Sequence, residues 1–108
     1  PNLNEIKPLN ISEAFLNGHM AGLFSAVGSY MQSETLYEKS LSTFRLIYGA
    51  NTHPRVLGSI LNLAGVLLVQ LKYVRALHLY IEGEKMILLL YNDMDMSMGV
   101  VKTSIASC

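Results

Sequence analysis

The sequence predicts an all-α fold made of two copies of one helical hairpin, and three observations carry that prediction. The first is internal repetition. Tyr30 recurs as Tyr73, Tyr37 as Tyr80 and Tyr48 as Tyr91, always 43 positions on; Ala21-Gly22 recurs as Ala64-Gly65, Leu36 as Leu79 and Leu46 as Leu89. The second is the return of apolar residues every three or four positions, the period of a helix with one buried face. The third is that no segment alternates apolar and polar residues with β-branched enrichment, so no strand is predicted. A repeat period between about 20 and 50 residues marks units that stack and bury their apolar faces on one another. Short turns between the helices make neighbours antiparallel.

The elements follow in order. Residues 1–11 hold two prolines and three asparagines and read as an irregular lead-in. Ser12 followed by Glu13 suits a helix start, as N-cap and as an acid near the positive end of the dipole. The first helix runs from Ser12 to Ala26, with Phe15, Leu16, Met20, Leu23 and Phe24 as its apolar stripe, and Gly28-Ser29 breaks it. The second runs from Met31 to Tyr48. Its residues Ser33, Tyr37, Ser40 and Phe44 are spaced 4, 3 and 4, so they share a face that alternates small and large side chains. Gly49 is placed to cap its C-terminus.

Pro54 suits the first turn of the third helix, where its missing N–H has no partner to lose. That helix runs to Leu71 with Val56, Ile60, Leu63, Ala64 and Leu67 buried. The fourth runs from Val74 to Tyr91, and Ala76, Tyr80, Gly83 and Ile87 repeat the 4, 3, 4 spacing and the small–large alternation. A mid-helix glycine costs about 1 kcal/mol against alanine, so Gly83 points to close helix packing. Asn92 to Asp95 reads as a second linker, and Met98 to Ser107 as a fifth, capping helix. Repeat 1 therefore spans 12–53 and repeat 2 spans 54–96, with 97–108 a partial third repeat or cap.

Composition bounds the function. At 108 residues there is one domain. Eight basic and eight acidic residues cancel, so no net charge steers the chain towards nucleic acid or an anionic membrane. A hydrophobic fraction of 51% is high for a small soluble chain and calls for a closely packed helical core or for further chain to cover it. The single cysteine, Cys108, makes no internal disulfide, which points to a reducing, cytoplasmic setting. The chain opens on Pro1 without an initiator methionine and reads as a fragment or a processed product, and Pro1 to Asn10 lacks the order of a signal peptide. A membrane hairpin is the least favoured reading: the longest uncharged run, Val56 to Leu71, is shorter than the roughly 20 residues a span needs and holds Asn62 and Gln70.

With these residues in view, the chain resembles tetratricopeptide repeats, in particular the long-period kind of kinesin light chains. The matching stretches are Ile60 to Ala64, Lys72-Tyr73 and Ala76 to Tyr80, and the linker Tyr48 to Val56 with its Gly49 and His53-Pro54 is the most specific. Three features depart from that pattern: Leu71 stands where a turn glycine is usual, Ser33 and Ser40 where alanine is usual, and the second linker lacks the Gly and His-Pro. The resemblance implies a short right-handed α-solenoid of antiparallel helix pairs, whose first helices line a concave groove for an extended peptide or a partner's helix. It places Phe15, Gly18, His19, Gly22 and Ala26 of the first copy on that groove, and Gly58, Leu61, Asn62, Gly65, Leu68 and Val69 of the second. Asn62 matches the family asparagine that grips a bound peptide's backbone, and His19 takes the equivalent place in copy one. The basic residues that clamp a terminal carboxylate in chaperone-binding relatives are absent from these positions.

Catalysis is not expected. No phosphate loop, nucleophile–base set or paired carboxylates can be assembled, and His19, His53 and His78 have no partner at metal-ligand spacing. No cofactor or metal is expected. The six tyrosines read as packing residues and not as a base-stacking platform, because their recurrence puts them at equivalent positions. Met86, Met94, Met96 and Met98 read as loose linker chemistry. The expectation is a non-catalytic scaffold for a protein or peptide partner, with Asn62, Leu61, Gly65, Leu68, Val69, His19, Phe15 and Gly22 at the binding face. The alternative is self-association that completes a larger array.

Overall fold

The computed structural model describes residues 11–49 and 53–97, and among these residues every element is a helix: α1 (Ile11–Ala26), α2 (Tyr30–Tyr48), α3 (Pro54–Val69) and α4 (Tyr73–Ser97). Each helix packs on the next along the chain. The lead-in and the expected fifth helix lie outside the described residues.

The two hairpin turns are built from the same hydrogen bonds. At the end of α1, Gly28 N–H donates to Ser25 O and Ser29 N–H to Phe24 O; at the end of α3, Leu71 N–H donates to Leu68 O and Lys72 N–H to Leu67 O. Each pair closes a helix by the two-bond C-terminal motif that needs a left-handed residue. Gly28 meets that need at φ 86, and Leu71, its equivalent 43 positions on, is forced to φ 65. The following helices start alike, with Ser33 N–H on Ser29 O and Ala76 N–H on Lys72 O.

Between the hairpins, Gly49 ends α2 at φ 91, its N–H on Arg45 O. His53 caps α3: its Nδ1 accepts the Arg55 N–H at 3.0 Å, and Pro54 occupies the first turn. Several boundaries differ from expectation: α2 and α4 each begin one residue earlier, at Tyr30 and Tyr73, and α3 ends at Val69 and not at Leu71. Ser12 lies inside α1, one residue beyond its first described position. Residues Asn92 to Asp95, expected as a linker, continue α4 to Ser97, because this stretch has neither the glycine nor the proline that separates α2 from α3.

Packing within each hairpin depends on small residues. Ser33 Oγ donates to Ala21 O at 2.7 Å and Ser40 Oγ to Ala14 O at 2.9 Å, all buried. These bonds hold α2 against the backbone of α1. In the second hairpin the corresponding residues are Ala76 and Gly83, and the residue equivalent to Ala14 is Leu57. A Cβ on Gly83 would stand 3.0 Å from Leu61 and 3.7 Å from Leu57. Volume has been exchanged across the contact: serine over alanine in one hairpin, glycine under leucine in the other. The tyrosine hydroxyls follow suit, since that of Tyr37 lies beside Gly22 and that of Tyr80 beside Gly65. The packing role expected of all six tyrosines is corrected: Tyr30, Tyr37 and Tyr48 pack in or against the core, whereas Tyr73, Tyr80 and Tyr91 are exposed, because no further helix covers α4 among the described residues.

The core centres on α3, where Val56, Ile60, Leu63, Ala64 and Leu67 are all buried, each larger side chain contributing about 1.5–3 kcal/mol. The stripe expected on α1 is a correction. The structure buries Ala14 and Ala21 there and leaves Leu16, Met20 and Leu23 exposed, because α1 has α2 on one side and no helix on the other among the described residues. Met86 is buried in α4, so it belongs to the core and not to a methionine cluster.

Ion pairs set α2 beside α4. Arg75 bridges Glu34 and Glu38, Arg45 meets Glu82 at 2.6 Å, and Lys72 and Gln70 reach Glu34 from the α3–α4 turn. The partners of Glu38 and Arg45 both advance by seven residues, so α2 and α4 run in the same direction. Exposed pairs are worth up to about 1 kcal/mol each, so they fix register more than they hold the fold. Glu34 is the sheltered member. Burial raises its pKa, but hydrogen bonds from Lys72, Gln70 and Arg75 lower it, and the net is below the ordinary 4.5.

Two outcomes follow. A leucine in the left-handed region costs roughly 1–2 kcal/mol, so Leu71→Gly is expected to stabilise the chain by about 1 kcal/mol in urea unfolding; a loss of stability would show that the turn is not held as described. Because the Glu34 pKa is depressed on folding, its contribution is present above the ordinary value and is lost as pH falls through the folded value. The stability difference between wild type and Glu34→Gln is therefore expected to be full at neutral pH and to vanish in acid. A difference that stays flat from neutral to pH about 2 would contradict the network.

Candidate functional site: a cleft between the first helices of the two hairpins

Helices α1 and α3 do not pack tightly on each other; α2 lies against both and holds them apart. The space left is an open cleft of about 370 Å³. One wall is α1, with Phe15, Gly18, His19 and Gly22; the other is α3, with Pro54, Arg55, Gly58, Ser59 and Asn62; Tyr37, Ser40 and Phe44 of α2 form the floor. Local sequence explains the room. Three of the wall residues are glycines. A Cβ would make only ordinary contact at Gly18 (Ser40 Oγ, 3.6 Å) and Gly22 (Tyr37 hydroxyl, 3.5 Å), and would meet nothing within 4 Å at Gly58.

One end is closed by a continuous stack. The Arg55 guanidinium sits 4.6 Å from the centre of the Phe15 ring. Phe15 meets Phe44 edge-on at 5.2 Å, Phe44 stacks on Tyr48 at 6.0 Å, and Tyr48 stacks on His53 at 3.7 Å with the rings 9° apart. Contacts of this kind are worth about 0.5–1.5 kcal/mol beyond area burial. Since His53 also caps α3, the stack ties both walls to the linker. His53 Nδ1 is an acceptor here, so the ring proton resides on Nε2.

The lining carries one formal charge, Arg55, alongside the polar groups of His19, Tyr37, Ser40, Ser59 and Asn62. Ser40 is already engaged with Ala14 O. Burial pushes the Tyr37 phenol up, so at neutral pH it stays a neutral hydroxyl. Asn62 is exposed on the rim and its amide can donate and accept at once. Among the described residues no group of three or more His, Cys, Asp or Glu is placed to hold a metal ion.

Of the residues expected at a binding face, Phe15, His19, Gly22 and Asn62 come together in this cleft. Leu61, Gly65, Leu68 and Val69 do not line it. Leu61 lies against Gly83 and Gly65 beside the Tyr80 hydroxyl, which puts both towards α4; Leu68 and Val69 are exposed elsewhere. Leu61 and Gly65 match Gly18 and Gly22 in the repeat and likewise face the second helix of their own hairpin, but α3 enters the cleft by another face, with Arg55, Gly58 and Asn62. Arg55 and the aromatic end wall were not foreseen. The only sequence signal was the His-Pro linker that places His53 and Arg55 on either side of Pro54.

No protein-family model matches this chain, and no curated protein or solved structure matches it. Among the described residues no helix is long and apolar enough to cross a membrane. The site is therefore read from its own geometry.

Proposed function

We propose that the chain is a non-catalytic protein-interaction scaffold, a short right-handed α-solenoid of tetratricopeptide type, whose cleft between α1 and α3 takes an extended peptide or a helix of a protein partner. The observation that carries this reading is the composition of the cleft. Gly18, Gly22 and Gly58 lower the walls, Phe15 offers an apolar surface, and Asn62 stands at the rim with a free-standing amide. Glycines let another backbone come close, and an amide that donates and accepts matches the paired N–H and C=O of a peptide. The parallel course of α2 and α4 and the twin turns support the solenoid part of the reading.

Gly58→Leu tests the reading cleanly. The added side chain enters open space, removes a glycine from a helix interior and leaves the core untouched, so the fold is expected to hold or gain up to about 1 kcal/mol. Peptides selected on the 108-residue chain from a random display library are expected to lose at least tenfold in affinity for Gly58→Leu, by calorimetry. Asn62→Ala is expected to cost about 0.5–1.5 kcal/mol, the value of one hydrogen bond. Selected peptides that bind Gly58→Leu as tightly as wild type would place binding elsewhere.

A further inference from the structure

Among the described residues, the first and last helices expose faces equivalent by the repeat to those that meet between the hairpins. At the centre, Gln70 bonds Glu34, so the stripe Ser59, Leu63, Val66 and Gln70 is the side of α3 turned to α2; the first three are buried. The equivalent stripe on α1 is Leu16, Met20, Leu23 and Val27, which are 56%, 38%, 70% and 75% exposed. Across the same central contact, α2 presents Glu34, Glu38, Leu41 and Arg45, of which Leu41 is buried and the other three are ion-paired to the second hairpin. The equivalent stripe on α4 is Leu77, Ile81, Glu84 and Leu88, all exposed.

The substitutions on the two end faces match each other. Where α2 has Glu34, Glu38 and Arg45, α4 has Leu77, Ile81 and Leu88. Where the second hairpin answers with Gln70, Lys72, Arg75 and Glu82, the first hairpin has Val27, Ser29, Gln32 and Lys39. Five of the six positions that form ion pairs at the centre are thus uncharged at the ends, on both sides of the contact. Of the charges left at these equivalent positions, Glu84 on one face and Lys39 on the other are opposite in sign. The first hairpin also carries an apolar groove of about 570 Å³ lined by Met20, Phe24, Met31 and Leu36, with Gln32 and Thr35 at its edge. In the second hairpin Leu63 and Leu67, the counterparts of Met20 and Phe24, are buried, whereas Val74, the counterpart of Met31, is exposed.

We propose that this chain associates with a second copy of itself head to tail, α4 of one copy seating in the α1–α2 groove of the next as α2 seats on the second hairpin. The contact joins two different surfaces, so it repeats along a row and does not close into a symmetric dimer. It does not depend on what the cleft binds.

The test uses the 108-residue chain and two surface variants, Leu77→Glu on the α4 face and Leu23→Glu on the α1 face. Both positions are more than half exposed, and circular dichroism checks that each variant stays folded. In sedimentation, wild type is expected to rise in average mass from the 12.0 kDa monomer as concentration increases. Each variant alone is expected to stay monomeric, having lost one of the two faces. Their equimolar mixture is expected to form a one-to-one dimer and stop, because the intact α4 of Leu23→Glu finds the intact groove of Leu77→Glu. Wild type that is monomeric at every concentration would overturn the proposal and assign the faces to other chain, residues 98–108 among it. Self-dimerisation of either single variant would overturn it in favour of a face that pairs with itself. A mixture that stays monomeric would also overturn it.

Discussion

The close approach of the two helices in each hairpin is the constraint on which the rest of this structure depends. It is met in two chemically different ways at equivalent positions. In the first hairpin, serine hydroxyls reach the carbonyls of α1 across a contact with Ala14 and Ala21. In the second, Gly83 leaves room for Leu57, Ile60 and Leu61. A buried hydroxyl with a carbonyl partner is satisfied and contributes about 0.5–1.5 kcal/mol, whereas the glycine allows apolar volume to enter from the other side. Both solutions keep the helices close, and both bring a tyrosine hydroxyl next to a glycine on the facing helix.

The cleft is a consequence of that packing. Because α1 and α3 each pack against α2, they stand apart from one another, and the glycines on their walls keep the gap open. The aromatic stack from Phe15 to His53 closes one end and couples the gap to the linker, because its rings run from the α1–α2 contact through Phe44 to the cap of α3. The charged network around Glu34 does different work. It sits on the far side of α2 from the serines and fixes how the second hairpin registers on the first.

Much of the fold was legible because its signals are local. Gly49 and Pro54 bracket the linker, Gly28 marks a turn, and the 43-residue offset aligns the turns and the small residues of the helix contacts, though it does not give the tyrosines equal burial. What was not legible concerns which faces have partners. The apolar stripe of α1 has the right spacing for burial, yet Leu16 and Leu23 are exposed, since periodicity identifies a face and not the helix that covers it. Leu61 and Gly65 face α4 as Gly22 faces α2, and the cleft beside α1 uses a different face of α3, through Gly58 and Asn62. The continuation of α4 through Asn92 to Asp95 was missed because turn-favouring residues do not end a helix without a glycine or proline to enforce it. Arg55 was missed because its place over the Phe15 ring depends on tertiary approach alone.

The substitution that bears most directly on the central constraint is Gly83→Leu, followed by equilibrium unfolding in urea. A side chain there starts with its Cβ 3.0 Å from Leu61, and overpacking of this kind costs about 1–3 kcal/mol, more than the helix propensity gained by removing a glycine. A loss in that range is the expected result. Stability equal to or above that of wild type would mean that Gly83 does not lie in the helix contact, and the equivalence of the two hairpins would fall with it.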